Sequence, residues 1–313
     1  MDEKPIGGVD ALLRKNVNRG RNMASGEVTP RRRPVYPISA ERELARVSLA
    51  FANMVIKDCQ PFVDSLLKSY EEPEGFRQDD AGDFISSVRG KKFAAAEKLS
   101  RKTGAMQALE KGISRSGHLA KNHSIRDWND QVKDALGEEI DQLFYQDSME
   151  QMINNWIHEN VSKITSLPAD YLNEVESIIR WGYETRQPKV NVYRRLEKLV
   201  GTTRSQAKAI ARDQLGTLNS QMMQYEHESM GVSKYKWITK RDKDVRDCHR
   251  FFHGKIFSWN EPPAEWYMTK SRGIVYTGKY YHPGQARGCR CTASPVFNLE
   301  GAKLLLQKRF QPI

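Results

Sequence analysis

The chain has 313 residues, of which 39% are hydrophobic and 28% charged, and it carries a formal net charge of +11 with a pI of about 9.4. No run approaches the roughly 18 apolar residues of a membrane span, and the N-terminus lacks the apolar stretch of a signal peptide. The length predicts two or three folding units, and the positive charge favours a polyanionic partner. Without a signal peptide we expect a reducing compartment, in which the cysteines serve as thiols or metal ligands.

The N-terminal residues 1–38 are rich in glycine and proline and show no apolar period. This composition predicts a disordered basic tail. Within it, Arg31, Arg32 and Arg33 form a basic triplet that can grip phosphate or dock on a partner protein.

Residues 39–127 are predicted to be helical and to include a basic arm. Apolar residues from Ser39 onward recur at helical spacing, and Pro61 should kink or divide that helix. Residues 89–126 contain ten lysines and arginines but only two glutamates, and three glycines should interrupt the helix there. We interpret this segment as a DNA-facing arm or, alternatively, as a solvated face. The candidate DNA or partner contacts are Lys91, Lys92, Arg101 and Lys102.

Residues 128–230 are predicted to form a helical domain. Apolar residues at three- and four-residue spacing mark its helices, which should stop at Gly182 and at Gly201. The last helix should then begin at a capping box that starts at Thr203.

A small α+β module is predicted for 231–297, followed by a basic C-terminal tail over 298–313. Residues 234–239 alternate with period two, and 255–257 and 274–276 are further candidate strands. The fold class expected for the whole chain is therefore α+β, mostly α.

The module concentrates potential metal ligands. Zinc favours four Cys or His ligands in a tetrahedron, and a module with few aliphatic residues often needs such a cross-link to fold. The favoured set is His249, His282, Cys289 and Cys291, with Cys248 and His253 as alternatives for the fourth position. A metal-free fold with buried thiols is the competing interpretation.

Several sequence signatures lie between residues 212 and 292. They comprise Arg212, Asp213, Asn219, Gly231–Trp237, Asp242, Val245, Arg246, His249, Gly254, Lys255, Pro283, Gly284 and Cys289–Thr292. In order and spacing they resemble the phage Mu F-like family, which comprises head morphogenesis or minor capsid proteins of tailed bacteriophages. The resemblance extends from about residue 150 to 297, and Asp244 departs from it because the family pattern has an arginine there.

The resemblance implies a structural protein of the virion. Relatives are associated with the portal vertex inside the head, contact portal or major capsid protein and the packaged double-stranded DNA, and in some cases leave with the genome. We therefore expect this chain in the host cytoplasm during assembly and then in the capsid interior, with no membrane in the mature particle.

An enzyme is the rival hypothesis, in the form of a nuclease or other hydrolase. It could use His249 as base with Asp244 or Asp247 as orienter, or it could use a catalytic zinc with an open coordination position. The chain has no phosphate-binding glycine loop, H-E-x-x-H or G-x-S-x-G motif, so we expect no enzymatic activity. Some relatives carry an added toxin domain, for which the chain, ending at Ile313, should leave no room.

Arg212 and Arg246 are expected to act structurally. Either could pair with Asp213, Asp242 or Asp247 and join the last long helix to the module, since bidentate Arg–carboxylate pairs give geometric locking.

Overall fold

The structure is a computed structural model of the chain and describes residues 27–70, 81–137, 146–241 and 243–298. It is mostly helical with a small C-terminal sheet region, which confirms the predicted fold class. The helices are α1 Ile38–Ser69, α2 Ala81–Ser100, α3 Thr103–Leu136, α4 Gln146–Thr165, α5 Leu167–Glu184, α6 Lys189–Ser229 and α7 Asp247–Phe252. The strands are β1 Glu27–Val28, β2 Lys234–Ile238, β3 Ile256–Ser258, β4 Ala264–Thr269, β5 Gly273–Tyr280 and β6 Thr292–Asn298.

The chain divides into two compact units, each assembled from separate stretches of sequence. The first, here called the sheet unit, comprises the described parts of Met1–Ser39, His118–Ile153 and Arg212–Ile313. The second, the helical unit, comprises the described parts of Ala40–Gly117 and Asn154–Ala211. This division does not follow the sequence-based boundaries at 38, 127 and 230, because distant segments share each core.

In the helical unit, α1 buries one apolar stripe along its whole length. Pro61 lies inside this helix without dividing it. Gly112 of α3 lies against α1: an added Cβ would fall 2.3 Å from a methyl carbon of Val47. The expected interruption at Gly112 is therefore wrong, since this glycine allows a close helix approach. The buried residues of α1 in this unit are Ala40, Glu41, Leu44, Val47, Ser48, Phe51, Ala52, Val55, Ile56, Cys59, Phe62, Val63 and Leu66.

Helix α6 runs unbroken from Lys189 to Ser229, so the predicted stop at Gly201 and restart at Thr203 are wrong. An added Cβ at Gly201 would meet open space, and the Thr203 hydroxyl donates to the Leu199 carbonyl at 2.9 Å within the helix. A single exposed glycine costs a helix only about 1 kcal/mol relative to alanine, too little to end a long one.

The sheet unit contains an antiparallel four-stranded sheet in the order β1–β6–β2–β3. Trp237 of β2 lies opposite Ala293 of β6. Because β6 is flanked on both sides, its residues from Thr292 to Phe297 are buried. A separate hairpin pairs β4 with β5. The predicted strands at 234–239, 255–257 and 274–276 correspond to β2, β3 and β5, whereas β4 and β6 were not foreseen.

Residues 27–37 of the predicted disordered tail are ordered. Strand β1 pairs with the end of β6, and the Arg32 amide donates to Asp134 at 3.0 Å. The Val35 amide donates to Asp127 at 3.2 Å. The prediction of disorder is wrong for 27–37 because these partners lie about 90 to 270 residues away in the sequence; the rest of the tail, 1–26, lies outside the described residues.

No helix in the described ranges combines the length and the apolar character that crossing a membrane requires.

Candidate metal centre

Three potential metal ligands meet in the sheet unit: His249, Cys289 and Cys291. His249 Nδ1 lies 3.5 Å from Cys289 Sγ and 3.6 Å from Cys291 Sγ, and all three ligand atoms lie within 4.8 Å of one another. The three side chains are buried, with 3–4% of each residue exposed. The structure therefore brings together three of the four favoured ligands.

Helix α7 positions His249. Immediately after this short helix, the Gly254 amide donates to the Trp237 carbonyl at 2.8 Å, and the Trp237 amide donates to the Lys255 carbonyl at 2.9 Å. Gly254 has a φ of +81°, a conformation that side chains other than glycine's seldom adopt. These bonds fasten the end of α7 to β2 and hold the His249 ring against Trp237, with ring centroids 5.0 Å apart.

The two cysteines lie on the loop that leads into β6, and this loop touches helix α6 backbone to backbone. An added Cβ at Gly216 of α6 would fall 2.8 Å from the Gly284 carbonyl oxygen and 2.9 Å from that of Cys289. The Gly288 amide also donates to the Asp213 carboxylate. Glycine at 216 is thus required for the approach that places Cys289.

The two thiols are electrostatically unequal. A hydrogen bond from Cys291 is the main reason that the pKa of Cys289 lies well below its usual value, against the opposing effect of burial. The same bond, followed by burial, raises the pKa of Cys291. One thiol therefore ionises readily, whereas ionisation of both requires a cation that compensates the second charge.

These residues fit a zinc ion. A tetrahedral site with Zn–S of about 2.3 Å and Zn–N of about 2.0 Å separates nitrogen from sulfur by roughly 3.5 Å, close to the distances found. The Cys291 amide donates to Cys289 Sγ at 3.4 Å. The indole N–H of the buried Trp237 acts on Cys291 and lowers the pKa of that thiol. N–H donors around sulfur are the outer-shell support that metal-bound thiolates receive.

His282, the favoured fourth ligand, lies elsewhere in the sheet unit. Its Nδ1 is 2.9 Å from the Tyr235 hydroxyl, its amide donates to Gln285, and its ring packs on Trp259 at a centroid distance of 4.8 Å. Burial lowers the pKa of His282. It acts as a neutral core histidine, and within the described residues the metal-competent group contains only the other three.

The two alternative ligands also lie outside that group. Cys248 is buried beside His249 in the sequence, and burial raises its pKa. His253 is held by Thr239, whose amide donates to Nδ1 at 3.0 Å, and by Arg241 at 2.8 Å from Nε2. Burial and then the neighbouring Arg241 lower its pKa.

The expected lock between α6 and the module exists, but Asp213 provides it. Its carboxylate accepts from the Gly288 amide and lies 3.6 Å from Arg287 Nε. Arg246 donates to the Arg287 carbonyl and pairs with Glu265 at 3.6 Å. Arg212 lines a cavity beside the cluster, and the remaining motif residue, Asp242, lies outside the described residues.

The basic triplet sits on an ordered segment. Arg31, Arg32 and Arg33 are exposed, and the Arg32 side chain pairs with Asp130 at 2.8 Å. The triplet remains a candidate contact for DNA or a partner, presented on structured backbone.

The basic arm is largely paired with acids distant in sequence. Lys92 lies 2.7 Å from Glu176, and Lys102 lies 3.2 Å from Asp58. Counting only nearby acids overestimated the free charge of this arm. Arg101 pairs with Glu97 at 2.6 Å, and Lys91 donates to Ser69 at 2.9 Å.

Sequence reasoning missed three residues on which the centre depends: Trp237, Asp213 and Gly216. Trp237 was assigned to a strand and Asp213 was considered as a partner for arginine; both also carry the family resemblance, but neither was placed beside the metal ligands. Gly216 sits inside a helical period with no local sign that a loop approaches it. A glycine in the middle of a strong helix is the one signal that could have suggested close packing.

Comparisons with known proteins agree with the resemblance. Residues 176–294 match the family described as Phage Mu protein F like protein, a range that includes all three clustered ligands. A Haemophilus influenzae protein described as uncharacterized is 26% identical over 257 residues, covering 81% of this chain and 54% of the relative. The chain thus spans about half the length of this curated relative. No solved structure matches the chain.

Proposed function

Because residues 176–294 match the phage Mu F-like family, we propose that this protein is a minor head protein of a tailed bacteriophage. In this proposal it joins the particle during head assembly and lies inside the head near the portal. It contacts portal or major capsid protein and the packaged double-stranded DNA, and it leaves with the genome. The family match is the single observation that carries the proposal, and it favours a structural rather than an enzymatic role.

Charge supports the DNA contact in this proposal. The chain carries a net charge of +11, and a protein packed against phosphate gains from that excess. The exposed triplet Arg31, Arg32 and Arg33 is the preferred contact. Lys91, Lys92, Arg101 and Lys102 are weaker candidates, since their internal partners would compete with phosphate.

The metal centre has a structural role in this proposal. Zinc held by His249, Cys289 and Cys291 joins α7 to the loop before β6, two segments about 40 residues apart in the sequence. When bound, the ion neutralises both thiolates and cross-links a module that has few aliphatic residues.

Peptide mass spectrometry of salt-washed phage particles, before and after DNA release, tests the proposal. Peptides of this chain should be present in full particles and depleted in emptied ones, with coat-protein peptides as the internal standard. Peptides retained equally in emptied particles would remove genome release from the proposal. Absence from washed full particles would contradict the head-protein assignment itself.

A metal-dependent nuclease is a second candidate, favoured by one observation. Three protein ligands with a cavity beside them resemble catalytic zinc sites, which keep one position open. Zinc-loaded protein should nick supercoiled plasmid if this candidate is correct, and His249→Ala should abolish nicking. If the plasmid stays intact after prolonged incubation, the nuclease is rejected and the structural role of the metal centre is retained.

A further inference from the structure

A small basic recess adjoins the three clustered ligands. It has a volume of about 50 Å3 and lies within the sheet unit. This volume exceeds the roughly 30 Å3 that one water occupies in the liquid, so a small polyatomic ion has room. The recess is lined by Arg212, Lys240, Asp244, Val245, Arg246, His249, Gly288, Cys289, Arg290 and Cys291.

The lining is strongly asymmetric in charge. Three arginines and one lysine line the recess, against Asp244 as its one acidic residue. A divalent cation with two thiolates is already neutral, so the metal centre adds no charge that offsets the cationic lining. Such an array favours an anion.

The class of anion follows from the groups that line the recess. Guanidinium groups present several N–H donors in a planar fork that matches the oxygens of phosphate and carboxylate. Arg246 is anchored through the Arg287 carbonyl and Glu265, which fixes its direction. Arg212 extends from the rigid helix α6 and adds a second guanidinium to the same space.

We propose that this recess is a phosphate-binding site, in which the bound oxyanion completes the coordination that His249, Cys289 and Cys291 begin. The inference rests on the metal site of the proposed function and adds a ligand to it. The phosphate group comes from free phosphate or from a nucleic-acid backbone, which offer the same oxygens. Asp244, which lines the same recess, is the internal carboxylate that competes for the position.

Cobalt substitution tests the site in the full-length protein. Thiolate-bound Co2+ absorbs in the visible, and these bands change when its fourth ligand changes. Inorganic phosphate at constant ionic strength should shift the bands saturably, whereas chloride at the same ionic strength should not. In Arg212→Gln/Arg290→Gln, the phosphate affinity should fall by about tenfold or more, while the cobalt content stays equal to that of wild type.

Matched variants separate the alternatives. Lys208→Gln removes a positive charge from an exposed position on α6 outside the recess lining, and it should titrate like wild type. A short oligonucleotide without a terminal phosphate distinguishes the sources: a band shift with it identifies the backbone, and a shift with inorganic phosphate alone identifies the free ion.

Three results would overturn the inference. If the absorption bands of Co2+-bound protein respond neither to phosphate nor to the oligonucleotide, the fourth coordination position of the metal is closed to phosphate. Bands altered by Asp244→Asn without phosphate would assign that position to the internal carboxylate. Failure of wild-type protein to bind Co2+ would instead remove the metal site, and with it this inference.

Discussion

Different kinds of interaction stabilise the interior of the helical unit and the interior of the sheet unit. In the helical unit, long amphipathic helices bury repeating apolar stripes, and charged pairs such as Lys92–Glu176 join their surfaces. In the sheet unit, a few residues far apart in the sequence meet at single points, as His249 and Cys289 do. A repeated contact tolerates the loss of one member, whereas a single meeting point does not.

The two kinds of contact also differ in the free energy that each one contributes to folding. Partly exposed ion pairs contribute about 0.2–1 kcal/mol each. A structural zinc site contributes on the order of 10 kcal/mol in small modules. We therefore expect single changes in the sheet unit to have the larger effects.

The largest effect is expected on removing the metal. Chelation, or Cys289→Ser with Cys291→Ser, should destabilise the region around 231–298 by several kcal/mol and unfold it, because either change removes the metal cross-link between α7 and the loop before β6. Hydrogen exchange followed by mass spectrometry should show lost protection in that region and retained protection in α1. Cys248→Ala, a buried cysteine outside the cluster, is the control. Equal protection with and without chelator would remove the contrast between the units.

A large pH effect is expected from Asp127 in the sheet unit. Burial raises the pKa of this carboxyl from 3.8 to about 6, so its contribution to stability is complete below pH 4 and is lost as the pH rises through 6. Between pH 4 and pH 8, the free energy of unfolding of Asp127→Asn should therefore rise relative to that of wild type by on the order of 3 kcal/mol. Burial also raises the pKa of the fully buried Glu226 nearby, so this carboxyl acts in the same direction.

Urea denaturation at several pH values measures this difference, and Asp130→Asn is the control because Asp130 is partly exposed. Comparing variant with wild type cancels the separate pH dependence of the cysteines. A constant difference between Asp127→Asn and wild type from pH 4 to pH 8 would contradict the burial argument.

A smaller effect is expected from two glycines of the same helix. Gly216→Ala should lower the free energy of unfolding by about 1–3 kcal/mol and weaken metal binding, since its Cβ meets two carbonyl oxygens. Gly201→Ala should stabilise the protein by roughly 0.5–1 kcal/mol, because its Cβ meets open space. Thermal melting and Co2+ titration measure both variants. The same sign of change in both would refute the proposed close approach at Gly216.

The smallest stability effect is expected from the basic triplet. Replacing Arg31, Arg32 and Arg33 by glutamine should change stability by less than about 1 kcal/mol, because the Arg32–Asp130 pair is half exposed. DNA affinity should fall, and its dependence on salt should weaken. Replacing the exposed Lys57, Lys198 and Lys208 by glutamine removes the same charge elsewhere. Equal DNA binding by both triple variants would show that position is irrelevant.

The class of fold, the presence of long helices and the region that holds the metal ligands follow from the amino-acid sequence alone. Helical periodicity is a local pattern and the enrichment of histidine and cysteine between 248 and 291 is a compositional one, so both can be read without a structure. The same locality explains the errors at Gly201 and Gly112, where a glycine was taken as a stop although the surrounding helix outweighs its cost.

The contacts between residues that are distant in the sequence follow from the three-dimensional structure. It ordered 27–37 through partners in α3 and β6, and it took His282 out of the expected ligand set by packing it with Tyr235 and Trp259. It also set Gly216 against the cysteine loop. Such contacts depend on the path of the whole chain, so the residues adjacent to each position in the sequence do not predict them.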